Sequence, residues 1–233
     1  MGVFVRVIKS FFTFLFVGLS VVFVTSTVAM ADASQITERE RIMAEIEKDF
    51  HNKQAHEEAI SRGKERSILC GHCHGVDGNS KKPDIPNLAS QNPAYIIEQI
   101  GKFIDGTRKN FVMQTLASDF TFQDKVNLAV YFTSQELKPV DASPVLALKG
   151  EHIYKNVCFR CHGEDGRGEE GYSRLAGQQV DYVQMTLKRF RAAANNNGEH
   201  SEDKRRNASM EQVTSHLSDE EIEGIAHYIA LLK

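Results

Sequence analysis

The most specific chemistry in the chain lies in Cys70-Gly71-His72-Cys73-His74, a pattern repeated 88 residues later as Cys158-Phe159-Arg160-Cys161-His162. Two thiols separated by two residues and followed at once by an imidazole form the attachment signature of c-type haem. Both thiols add to the vinyl groups along one edge of the porphyrin, which places the adjacent histidine under the iron. A reduced thiol pair or half a zinc site is the alternative. Zinc, however, needs four ligands around one metal, whereas each cluster here ends in its own histidine. The duplicated motif therefore predicts two covalently bound haem c groups, attached through Cys70 and Cys73 and through Cys158 and Cys161. His74 and His162 are the expected iron ligands.

Each iron then has a sixth position, which methionine or histidine fills or which stays open. In the first half Met113 is the one methionine after the motif; the second half offers Met185 and Met210. Met113 stands seven residues before Phe120, and Met210 seven before the matching Leu217, so the repeat selects Met113 and Met210. Met185 falls in a helical run with Tyr182 and Leu187 and is expected to pack in the core. His152, His200, His216 and His227 have no histidine at matching positions in the first half.

The elements that must position these residues follow a targeting segment. Arg6 and Lys9 form a positive n-region, residues 11–24 an apolar run and Ala29-Met30-Ala31 a small-x-small cleavage pattern, so residues 1–31 read as a secretory signal peptide. An uncleaved anchor is the alternative, because residues 11–31 are about long enough to span a bilayer. Both readings carry the bulk of the chain across a membrane, in a bacterium into the periplasm. Removing residues 1–31 takes away Arg6 and Lys9 and no acid, so a formal charge of -3 becomes -5. That mild acidity argues against a nucleic-acid partner, which calls for a basic stripe. All four cysteines lie in the haem motifs, so none is left for a structural disulfide.

Residues 32–62 are densely charged, with Ile42, Ile46 and Phe50 at helical spacing, and predict an extra amphipathic helix with His51 and His56 on its surface. Beyond it the halves align: Gly63 with Gly150, Leu88-Ala89-Ser90-Gln91 with Leu175-Ala176-Gly177-Gln178, Tyr95 with Tyr182, Phe103 with Phe190 and Tyr131 with Tyr228. The offsets are 87 at Gly63, 88 at the haem motif, 87 again through Phe103, and 97 at Tyr131, so about ten residues enter the second copy within 195–207. The repeat predicts two tandem domains, 63–137 and 145–233, joined by a linker over 138–144 that carries Pro139 and Pro144. Asn92-Pro93 opens one helix, and Thr121 to Asp124 and Ser218 to Glu221 read as capping boxes opening two more. No stretch alternates as a strand does, so the fold class is all-α. The segment 195–207, with Lys204, Arg205 and Arg206, is expected to be a solvated loop or to steer a partner.

These motifs, twice over and in the same order, resemble the di-haem cytochrome c4 family across residues 63–233. The resemblance implies two tandem class I cytochrome c domains and a periplasmic electron carrier, not an enzyme, with His/Met haems that cycle by one electron between Fe(II) and Fe(III). It implies redox partners in a respiratory chain: a terminal oxidase such as a cbb3-type enzyme, with a quinol-cytochrome c reductase or dehydrogenase upstream. The alternative is a di-haem electron-accepting subunit of a dehydrogenase complex, such as a sulfur-compound-oxidising flavocytochrome, and a third reading is an enzyme or gas sensor with an open iron. Pro86 resembles the family proline whose carbonyl orients the axial histidine. The repeat places Ser173 there in the second half, which implies a different hold on His162. Ser67 stands where Tyr154 would be, which implies looser packing near the first haem.

Overall fold

The computed structural model describes residues 37–168, 171–195 and 205–233. The proposed signal peptide, His200 and Lys204 lie outside the described residues, as does most of the ten-residue insertion. Residues 42–233 form one compact unit, and a second unit ends at Arg41. Among the described residues no strand occurs, and the one isolated bridge joins Arg108 and Arg205. No helix among them is long and apolar enough to cross a membrane.

The chain runs through α1 (Glu38–His51), α2 (Lys53–Arg66), α3 (Gly71–His74), α4 (Pro93–Ile104), α5 (Phe111–Ser118) and α6 (Phe122–Thr133). The second half repeats the series with α7 (Pro144–Ile153), a π-helical stretch Tyr154–Cys158, α8 (Phe159–His162), α9 (Val180–Asn195), α10 (Ala208–Thr214) and α11 (Asp219–Leu231). Both predicted capping boxes form, so α6 and α11 begin where their side chains satisfy the first free amides. Asn92 precedes Pro93 as expected but makes no side-chain cap bond. Its amide instead donates to the carbonyls of Arg167 and Tyr172 in the other half, at 3.1 and 2.5 Å.

Two apolar cores result, one around Ile96, Ile100, Phe103, Val126 and Val130, the other around Val183, Leu187, Ile222, Ile225 and Ile229. The N-terminal helix differs from its sequence reading. Ile42 and Ile46 are buried in the first core, but Phe50 is 43% exposed and Asp49 is buried in its place. Seven residues make nearly two full turns, so Asp49 returns closer to the stripe than Phe50 does. The Phe50 and His56 rings meet at a tilt of 39°, their centroids 4.9 Å apart, and His56 is half-buried rather than on the surface. Helix α2 also runs unbroken through residues 62 and 63, where the sequence suggested a domain boundary.

Gly63 marks a close helix crossing. A Cβ there would collide with the Asn127 carbonyl oxygen and the Tyr131 Cβ of α6. Gly150 on α7 is its counterpart, pressed against the backbone of Gly224 on α11. The expected loosening at Ser67 does not occur, since Ser67 and Tyr131 are each 3% exposed. The phenol that bonds the following turn comes from different helices in the two halves, although Tyr228 still stands opposite Tyr131 in the repeat. In the first half Tyr131 of α6 donates to the Val76 carbonyl at 2.6 Å, and in the second Tyr154 donates to the Gly163 carbonyl at 2.8 Å. Either phenol pins the turn that follows the haem motif.

Gly150→Ala is expected to destabilise the protein by about 1–3 kcal/mol or more, because the helix backbones must part. Gly101→Ala, on α4 with nothing within 4 Å of the added carbon, is expected to gain up to about 1 kcal/mol. Denaturant unfolding of the two variants checks the contrast, and equal midpoints would contradict it.

Candidate haem sites

In each half the motif occupies the helical turn that ends the first helix of the pair. Helix α2 leads through hydrogen-bonded turns at Ser67 to Cys70 into α3, and α7 leads through Tyr154–Cys158 into α8. The π-helical stretch accounts for the shift in offset from 87 to 88. One residue more lies between Gly150 and Cys158 than between Gly63 and Cys70, and the helix absorbs it as a widened turn. Gly75 and Gly163, both with φ near +80° (78° and 79°), then end the turn just past each histidine.

The thiols of Cys70 and Cys73 and the imidazole of His74 thus come from one helical turn, as do Cys158, Cys161 and His162. His74 Nδ1 lies 2.9 Å from the Pro86 carbonyl oxygen, and His162 Nδ1 lies 3.0 Å from that of Ser173. A carbonyl only accepts, so each Nδ1 carries the proton and each Nε2 keeps its lone pair. The expected difference at Ser173 is thereby corrected. The acceptor is a backbone oxygen, which serine supplies as well as proline. Burial holds both imidazoles below the usual histidine range, against the opposing pull of these carbonyls, so both are neutral. Burial also pushes the Cys70 thiol up, and that of Cys158 to about 11. This donor set fits covalent haem: two thiols, and a neutral imidazole with its free nitrogen already directed by its bonded one. Among the described residues, no three His, Cys, Asp or Glu side chains gather as a metal-ion cluster.

Met113 packs against the first core and Met210 against the second, while Met185 belongs to neither. Met185 is half-buried and lines a surface depression with Asp181 and Lys188, a correction to its expected core role. The buried stripe of α9 is Val180, Val183, Leu187 and Phe190, and Met185 lies off it. Of the rival histidines, His152 and His216 are exposed, and His227 Nδ1 accepts the Ser143 amide at 3.0 Å.

Two repeated signals went unread in the sequence. Asn110 and Asn207 each stand three residues before a methionine, and each side chain caps its helix by accepting the methionine amide, at 3.0 and 2.9 Å. The glutamine closing each Leu-Ala-x-Gln segment reaches into the other half. Gln91 accepts the Arg174 amide at 2.7 Å and donates to the Arg174 carbonyl at 2.9 Å. Gln178 does the same to Asn87, at 2.7 and 3.1 Å. Nearby, Arg205 donates to the hydroxyls of Tyr95 and Tyr182, and Arg108 donates to Tyr182 at 3.3 Å and to Gln99 at 2.7 Å. Arg108 lies over Phe103 and Arg205 over Phe190, again as matched pairs. Burial would raise the Tyr182 hydroxyl, but the Arg205 and Arg108 guanidiniums hold it below the usual phenol range. The expected partner-steering role of Arg205 and Arg206 is not what their contacts support: Arg205 turns inward, and Arg206 pairs with Glu211 at 2.7 Å.

Asn110→Ala and Asn207→Ala are each expected to cost about 1 kcal/mol, read by denaturant unfolding, because each removes a cap from a short helix. An unchanged midpoint in either variant would mean that its methionine turn is held by something else.

The family model described as cytochrome c matches residues 147–233. The cytochrome c4 of Azotobacter vinelandii is 34% identical over 187 residues, covering 72% of this chain and 86% of that protein. At greater distance, the thiosulfate dehydrogenase electron acceptor of Stutzerimonas stutzeri (strain A1501) is 27% identical over 180 residues, covering 70% and 79%. The crystal structure of reduced recombinant cytochrome c4 from Pseudomonas stutzeri superposes with a TM-score of 0.65 at 30% identity, covering 74% of this chain and 98% of that one. The likeness runs through both halves and both haem motifs, and it carries two covalently bound haem c groups with it: the chain belongs to the di-haem cytochrome c4 family.

Proposed function

We propose that this electron carrier works in the periplasm with two six-coordinate centres, His74 with Met113 and His162 with Met210, and hands electrons to a terminal oxidase of a respiratory chain. The observation that supports it best is the matched pair of sites. In each half an imidazole has its Nδ1 bonded to a carbonyl, and a methionine held at the third position of a capped helix packs on that half's apolar core. Haem iron with both axial positions filled exchanges one electron between Fe(II) and Fe(III) without making a bond to substrate, and methionine opposite histidine raises its potential. The chain's own part is to fix the two imidazoles, exclude water with two packed cores, and hold the halves together through Gln91 and Gln178. A cleaved or retained N-terminal segment within residues 1–31 would take the chain to the periplasm or leave it attached to the membrane.

A second reading, electron acceptor to a sulfur-compound dehydrogenase, is favoured by the relative named as the electron acceptor of thiosulfate dehydrogenase. Purification with a flavoprotein or other dehydrogenase chain would favour it, and purification alone would favour the carrier.

The purified, reduced protein is expected to refuse carbon monoxide at both centres and to give up two electrons per molecule on oxidative titration. Carbon monoxide binding at one centre would overturn the methionine assignment there. Binding at both would overturn the carrier reading in favour of a gas-binding or catalytic one.

A further inference from the structure

The carbonyl that accepts the His74 proton and the amide held by Gln178 belong to one peptide group. Pro86 supplies the C=O of that unit, and Asn87 supplies its N–H. The same arrangement recurs in reverse: the peptide joining Ser173 to Arg174 accepts from His162 through its C=O and donates to Gln91 through its N–H. Each histidine of one half is thus connected, through a single amide, to a glutamine of the other half. The bonds on both sides of these amides span 2.7 to 3.0 Å. Gln91, Gln178 and Asn87 are buried at 5%, 6% and 3% exposure, so water has little access to these side chains, while Pro86, Ser173 and Arg174 are half-buried.

An amide whose N–H donates a hydrogen bond carries more negative charge on its oxygen, and so accepts a stronger one there. A stronger bond from Nδ1–H makes the imidazole a more basic ligand. A more basic ligand favours ferric iron and lowers the potential of that centre. We propose that Gln178 is a positioning residue that sets the potential of the His74 centre, and Gln91 one that sets the potential of the His162 centre, each acting across the interface through the intervening peptide. This rests on His74 and His162 being the axial ligands. The two halves then tune one another reciprocally, and a change at the interface is felt at the iron on the far side from the altered side chain.

The test is a potentiometric titration of the di-haem protein, with the two centres assigned by NMR of the reduced form. Gln178→Met keeps the bulk and removes the acceptor. It is expected to raise the midpoint of the His74 centre, leave that of the His162 centre in place, and weaken the His74 Nδ1–H bond as read by the shift and exchange rate of that proton. The electron-sharing equilibrium should move by up to about tenfold, or 59 mV for a one-electron couple. Gln91→Met should do the converse. Asn92→Ala is the control, since Asn92 also ties the halves together but its side chain touches neither amide. An effect of Asn92→Ala equal to that of Gln91→Met would show that mere loosening of the interface is the cause, and would overturn the proposal. So would an unmoved His74 midpoint in Gln178→Met, or a shift confined to the same half as the mutation. If Gln178→Met fails to mature, Gln178→Asn, one methylene shorter, tests the same acceptor. Absence of low-spin His/Met spectra in the unmutated protein would instead remove the ligation reading on which the proposal rests.

Discussion

Two amide groups, between Pro86 and Asn87 and between Ser173 and Arg174, carry the organisation of this molecule. Each accepts a histidine proton on one side and is held by a glutamine from the opposite half on the other. An unmet partner would cost up to about 1–3 kcal/mol at the buried Asn87 amide and less at the half-buried Ser173–Arg174 amide, so a shift of the loop disturbs the interface and the reverse. The rest of the interface repeats the same matched logic, with Arg108 beside Arg205, Tyr95 beside Tyr182, and the two arginines in backbone register. Duplication explains this economy, because one self-complementary surface serves both copies.

The halves are not identical, and their departures are local solutions to one packing problem. The turn after each haem motif needs a phenol to hold its carbonyl. It receives one from α6 in the first half and from the π-helical stretch after α7 in the second. Where the first helix lacks the tyrosine, serine stands in its place and remains buried. Where one residue is added before Cys158, a π-helical turn absorbs it and the motif still leaves the helix in the same way.

Much of this was legible in the sequence because the repeat let each half check the other. The haem motifs, the helical class and both capping boxes rest on residue types at fixed spacing, and such local chemistry survives translation into structure; the repeat likewise singles out Met210, which packs on the second core where Met185 does not. The offset of 88 at the haem motif was visible as a number, but only the helix geometry shows it as a widened turn. What stayed hidden was the partner of each polar side chain. Gln91 and Gln178 mark the alignment of the halves, yet nothing in a linear sequence says that each bonds a backbone more than 80 residues away. Asn92 read as a cap for the same reason: its position allows one, and the other half offered it better acceptors. Hydrophobicity favours Phe50 over Asp49 for the buried stripe, whereas helix geometry turns Asp49 inward.

The proposed carrier depends on one chain holding two His/Met centres. The most direct measurement is proton NMR of the fully reduced protein, where a methionine methyl bound to low-spin ferrous haem is displaced far upfield by the porphyrin ring current. Two such methyl signals are predicted, one lost in Met113→Ala and the other in Met210→Ala. A single displaced signal, or two that survive both substitutions, would contradict the account.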